Sequence, residues 1–207
     1  MKLVKNIVAL LLSVTILGWI APITKASASN LDVGRIKTTI TTHNGVTVTE
    51  TIVPTELEDK WEEDNGWESE EIDEENLEKL SHHNPFNSTP TEDGISLYGA
   101  SPPLFTYWNV KTQGAKTFSG SFNSTHALYT NHAYKGTTIY RVKARNTGST
   151  KVGFEARDRI TLFRSTTLLV GATHYFDVNT NSANNSFYLK FYPINGAGSV
   201  SGDIRAK

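Results

Sequence analysis

Residues 99–207 are predicted to fold as an all-β domain, an antiparallel β-sandwich of Ig-like or jelly-roll-like type, on three observations. Eight short runs are rich in β-branched and aromatic residues, turn clusters such as Asn146-Thr147-Gly148 and residues 179–185 separate them, and side-chain character alternates with period two in the clearest runs. A stretch of about 100 residues is an ordinary size for a sandwich and suffices to enclose a core.

The runs, in order, are FTYWNV, KTFSGSF, TTIYRVKAR, KVGFEA, RITLF, THYFDV, SFYLKFY and SVSGDIR. In residues 137–145, Tyr140, Val142 and Ala144 share one face and Arg141, Lys143 and Arg145 the other; in residues 186–192, Phe187, Leu189 and Phe191 oppose Tyr188, Lys190 and Tyr192. Two strands therefore carry basic or aromatic outer faces.

Upstream, residues 1–28 read as an export signal. Lys2 and Lys5 precede an apolar run from Ile7 to Ile20, Pro22 ends it, and Ala26-Ser27-Ala28 offers small residues for cleavage between Ala28 and Ser29. The run is short for a bilayer, which takes roughly 20 residues, so no membrane span is expected in the mature protein. Export combined with the absence of cysteine excludes a disulfide scaffold and favours a Gram-positive bacterial setting, with the protein secreted and cell-wall associated.

Residues 29–55 hold a β-hairpin signal: TTITTHNGVTVTETIV is rich in β-branched residues, with His43-Asn44-Gly45 as its turn. Two strands alone are marginal in water, so the hairpin needs a surface to dock on. Residues 56–98 form an acidic, partly disordered segment and linker. Its first half has two short helical tendencies separated at Asn65-Gly66, and the stretch 81–101 has linker composition.

The net charge of −1 conceals two opposite halves. Between Glu56 and Leu80 there are 13 acidic residues against two lysines, whereas residues 99–207 hold 13 Lys and Arg against four acids. Such asymmetry points to interaction tails or to intramolecular pairing of the acidic segment with the β-domain. A linker joining the two gives each a high effective concentration for the other.

The candidate ligand-binding residues are Arg141, Lys143, Arg145, Tyr188, Lys190 and Tyr192. Cations at alternate strand positions lie about 7 Å apart on one face, a spacing that tracks a polyanion while tyrosine rings stack on sugars or bases. The alternative is an ordinary solvated sheet face. No cofactor or metal is called for: the loop around Asp64-Asn65-Gly66 fails the calcium-hand pattern because Trp61 falls at the first ligand position, and no compact zinc spacing occurs among the six histidines. A hydrolase assembled from His126, His132 or His174 with Asp158, Asp177 or a serine has no GxSxG elbow to mark it.

The expected function is thus a secreted, non-catalytic module binding an anionic surface polymer such as teichoic acid, polysaccharide or extracellular DNA. A second expectation comes from YTNHAYKGTTIYRVKARNTG and SFYLKFY, which resemble strands of lactococcin-like β-sheet bacteriocins over under a fifth of the chain. The resemblance implies an antibacterial protein whose acidic pro-segment masks a cationic β-domain, and no functional residue is carried across. A hydrolase with an unrecognised site is the third.

Overall fold

The computed structural model describes residues 35–67, 101–103, 105–123 and 126–207. The export signal with its Ala28/Ser29 junction, the acidic run beyond Trp67 and the linker up to residue 100 lie outside the described residues. Asp32–Lys207 form one compact unit.

The elements are short strands, as the alternation and turn spacing require. They are β1 (Lys37–His43), β2 (Val46–Pro54), α1 (Glu58–Asn65), β3 (Tyr107–Asn109), α2 (Val110–Gln113), β4 (Lys116–Phe122), β5 (Leu128–Tyr129) and β6 (Ala133–Lys135). There follow β7 (Ile139–Asn146), β8 (Val152–Arg157), β9 (Leu162–Leu168), β10 (Ala172–Asn179), β11 (Tyr188–Pro193) and β12 (Gly198–Ala206). All eight predicted runs contain a strand. The two-residue β5 and three-residue β6 have too few residues for a periodic signal and escape sequence reading.

A six-stranded antiparallel sheet in the order β1-β2-β10-β7-β12-β4 faces a four-stranded antiparallel sheet in the order β5-β11-β8-β9. Aromatic rings join the two layers: Phe154 of β8 stacks on Phe176 of β10 with centroids 4.4 Å apart, and Phe118 of β4 meets Phe191 of β11 at 5.5 Å. Val142, Ala144, Leu189, Phe191 and Ile204 are fully buried between them. One pair departs from the antiparallel pattern, β3 running parallel to β6.

The hairpin β1-β2 turns at Asn44-Gly45, both with positive φ (48° and 78°), which is the type I′ geometry that Asn-Gly favours. It docks as two strands of the larger sheet: β2 pairs with β10 along eight residues, from Ala172↔Pro54 to Asn179↔Thr47. Val46 and Val48 belong to the same buried cluster as the sandwich core. The packing unit therefore begins in the hairpin and not at residue 99, because β10 has an edge that only β2 covers.

Candidate functional site

The outer face of the six-stranded sheet is where α1, the described start of the acidic part, meets the basic row of β7. Alternation along β7 sends Tyr140, Val142 and Ala144 into the core and Arg141, Lys143 and Arg145 outward. Across the register, these three stand beside Asp177, Tyr175 and Thr173 of β10, respectively.

Helix α1 lies over this row because of how its two ends are tied. Pro54 closes β2, Thr55 donates its backbone N–H to Gly171 O at 3.1 Å, and a single 3-10 turn, Thr55–Leu57, leads into the helix. At the other end Gly66 is left-handed (φ 61°); its N–H bonds Glu63 O, and the Trp67 N–H bonds Glu62 O at 2.9 Å. This is the Schellman pairing, and with it comes the apolar contact expected between the residue after the cap and the last helical turn. Trp67 folds back to 6.1 Å from Trp61, and both rings pack on Tyr175, at 4.7 and 4.2 Å. Val53, Trp67 and Tyr175 form a second buried cluster outside the main core.

On that apolar footing the helix presents its carboxylates to the basic row. Lys143 Nζ lies 2.8 Å from Glu58 Oε1 and 2.7 Å from Glu62 Oε1, and Arg145 reaches Glu58 at 3.7 Å. Thr173 and Tyr175 donate hydroxyl hydrogen bonds to Glu58 (2.8 Å) and Glu62 (2.7 Å). Arg141 donates to Gly66 O at 2.5 Å and Asn65 O at 3.4 Å, carbonyls at the negative end of the helix, and its guanidinium lies 5.1 Å from the Trp67 ring.

The electrostatics follow from this geometry. Burial pushes the Glu58 carboxyl upward, but hydrogen bonds from Lys143 and Thr173 and the charges of Lys143 and Arg145 outweigh it, so Glu58 ionises below the ordinary carboxylate value. Burial pulls Lys143 down, yet its bonds and charge pairing with Glu58 and Glu62 hold it above the ordinary lysine value. Tyr175 is pushed far up by burial and by its proximity to the same two carboxylates, so its hydroxyl stays a donor. Beside the end of α1 a cleft of about 130 Å³ is lined by Trp61, Trp67, Arg141, Tyr175, Asp177 and Lys207 among others.

The second predicted row sits elsewhere. Tyr188, Lys190 and Tyr192 belong to β11, in the four-stranded sheet, with Leu189 and Phe191 pointing into the core. The two rows thus occupy opposite faces of the sandwich and do not join into one surface. Alternation assigns a side chain to a side of its own strand and says nothing of which strands are neighbours. On β11, Lys190 pairs with Glu155 at 3.3 Å and lies 5.1 Å from the Tyr192 ring, while Tyr188 is buried.

His174 is fully buried: its Nδ1 is 2.8 Å from Glu50 Oε1, and its Nε2 accepts the Leu169 N–H at 3.2 Å, which places the ring proton on Nδ1. Glu50, on the inner face of β2, also pairs with Arg164 and accepts from Thr166 at 3.0 Å. Asp158 accepts the backbone N–H groups of Ile160 and Thr161 in the β8-β9 turn. His132 packs edge-on against Trp108 at 5.7 Å, and burial together with the Lys116 charge pulls its pKa down. His126 Nδ1 is 3.1 Å from Asn123 Oδ1. Among the described residues no cluster of three or more His, Cys, Asp and Glu is placed to hold a metal.

Sequence reading missed Thr173 and Tyr175, whose hydroxyls anchor α1. The signal available was the run THYFDV, in which Thr173, Tyr175 and Asp177 alternate with His174, Phe176 and Val178 as a second polar-bearing outer row. Compared with known proteins, the chain matches no family model, no curated protein and no solved structure.

Proposed function

We propose that the chain is a secreted, non-catalytic binding module for an anionic extracellular polymer, a teichoic acid, an acidic polysaccharide or extracellular DNA, and that the outer row of β7 is its contact surface. The observation that carries this reading is the engagement of Lys143 and Arg145 by Glu58 and Glu62, carboxylates from the acidic part of the same chain. A row of strand cations that already holds anionic groups of its own chain is built to hold anionic groups, and α1 acts as an internal competitor that sets the affinity.

The test uses the chain from Asp32 to Lys207 on an immobilised polyanion eluted with salt. Glu58→Gln with Glu62→Gln keeps the shape of α1 and removes its charge. Elution should move to higher salt in that variant, and Lys143→Gln with Arg145→Gln should move it to lower salt. If both variants elute with the parent protein, the β7 row is not the contact surface.

The bacteriocin-like alternative treats residues 29 to about 98 as a discarded pro-segment. Val46 and Val48 of that range belong to the main core, and β2 bonds the length of β10, so the hairpin at least is part of the folded unit. The binding reading retains it.

A further inference from the structure

We propose that the tip formed by the β8-β9 turn and the start of β3 docks on an anionic lipid surface. This goes beyond polymer binding and uses none of the β7 row. Ile160, at the turn, is 92% exposed and Phe105 is 79% exposed, the two most exposed large apolar side chains among the described residues. They share one site, because the Arg159 guanidinium lies 5.4 Å from the Phe105 ring. Leu162 and Tyr107, each at least 40% exposed, continue the apolar character from the turn and from Phe105.

The turn is made to leave water. Asp158 Oδ1 accepts the N–H groups of both Ile160 (2.7 Å) and Thr161 (2.5 Å), and the Asp158 N–H donates to Thr161 O at 3.0 Å. Three backbone donors that would be costly to bring into hydrocarbon, those of Asp158, Ile160 and Thr161, are thus satisfied within the turn itself. Cations flank the apolar groups: Arg159 lies over Phe105, and Lys135 Nζ lies 4.6 Å from the Tyr107 ring. Aromatic side chains carrying a cation suit the interface, where rings enter the apolar boundary and the charge stays at the headgroups.

The charge balance selects anionic headgroups. Residues 99–154 contain no carboxylate. Of the two near the tip, Asp158 is turned onto its own amides and Glu155 is paired with Arg157 and Lys190. A stable protein partner would need a continuous face, roughly 800 Å² per side. Side chains projecting from a turn tip match a penetrable surface better.

The experiment co-sediments the chain Asp32 to Lys207 with vesicles of equal parts phosphatidylglycerol and phosphatidylcholine, and with vesicles of phosphatidylcholine alone. Binding to the mixed vesicles is expected, weakened at least about tenfold by Phe105→Ser with Ile160→Ser and about fivefold by Arg159→Gln. The chain has no cysteine, so an environment-sensitive dye on Ile160→Cys reports from the turn alone and should shift to the blue with the mixed vesicles. Absence of sedimentation, unchanged binding by the double variant, or equal binding to uncharged vesicles would each overturn the proposal. Polymer elution of the Glu58→Gln, Glu62→Gln protein is read on separate residues, so the failure of either proposal is distinguishable from that of the other.

Discussion

Glu50 carries the sharpest consequence of any single residue. Its carboxylate is 1% exposed and bonds at once to His174, Arg164 and Thr166. Glu50→Ala would leave the guanidinium and the imidazole enclosed without their anion, a change expected to cost about 3–5 kcal/mol in urea unfolding. Glu50→Gln keeps an acceptor and should cost less. The same group gives a pH dependence. Burial pushes its carboxyl upward, but hydrogen bonds from His174 and Arg164 and the charge of Arg164 prevail, so the folded value lies below the ordinary 4.5. The unfolded chain therefore takes up the proton first: this stabilisation is complete above about pH 4.5 and is lost as pH falls through the folded value. The stability of Glu50→Gln should then fall less steeply on acidification than that of the parent; parallel curves would contradict the assignment. Alternation in VTVTETIV puts Glu50 on the face shared by Val46 and Val48, a signal the sequence reading left unused. An acid on an apolar face announces a buried partner, but the partner, 124 residues away, is fixed only when β2 meets β10.

At the scale of elements, α1 shows a helix held by its ends and its charges more than by its sequence. Its one large apolar residue on the sheet side is Trp61, and Gly66 supplies the left-handed residue that returns Trp67 to it. Gly66→Ala has open space around the added methyl group, so only the backbone conformation opposes it, at about 1–2 kcal/mol. The expected result is a loosened cap with Trp67 exposed to water, read as a red shift in tryptophan emission; an unchanged spectrum would mean that Trp67 is seated without the cap. Acid should loosen the same contact. Glu58 is held below its ordinary value and Lys143 above its own, so α1 docks most firmly between about pH 5 and 10, losing support as Glu58 protonates below that window and as Lys143 deprotonates above it. Tyrosine and tryptophan signals from Trp61, Trp67 and Tyr175 should report release on acidification ahead of global unfolding. Much of this element was legible: Asn65-Gly66 marked its end and the charge asymmetry marked its partner. The apolar footing was not, because Trp61 and Trp67 are six residues apart, off helical period, and come together only through the reversal at Gly66.

Across the described part of the molecule, the start of the acidic run becomes a contact across the sheet through Glu58 and Glu62, and the hairpin makes that contact permanent. Polar pairing alone would yield to salt, since at about 1 M the screening length falls to roughly 3 Å. The N-terminal part is also held by the eight-residue ladder between β2 and β10, by Val46 and Val48 in the core, and by Glu50 beneath the sheet. Proteolytic cleavage anywhere within residues 68–100 should therefore leave two fragments that elute together, in high salt as well as low, and separate only in denaturant. The fragment from residue 101 onward, produced without its partner, should aggregate, because β10 would then expose an unpaired edge and the core would lose two valines. Separation of the fragments in native buffer would instead favour a detachable pro-segment. Co-elution would mean that the acidic helix stays poised over Arg141, Lys143 and Arg145 whether or not the chain is cut, so that access to this row is governed by competition with other anions and by pH, not by removal of the segment.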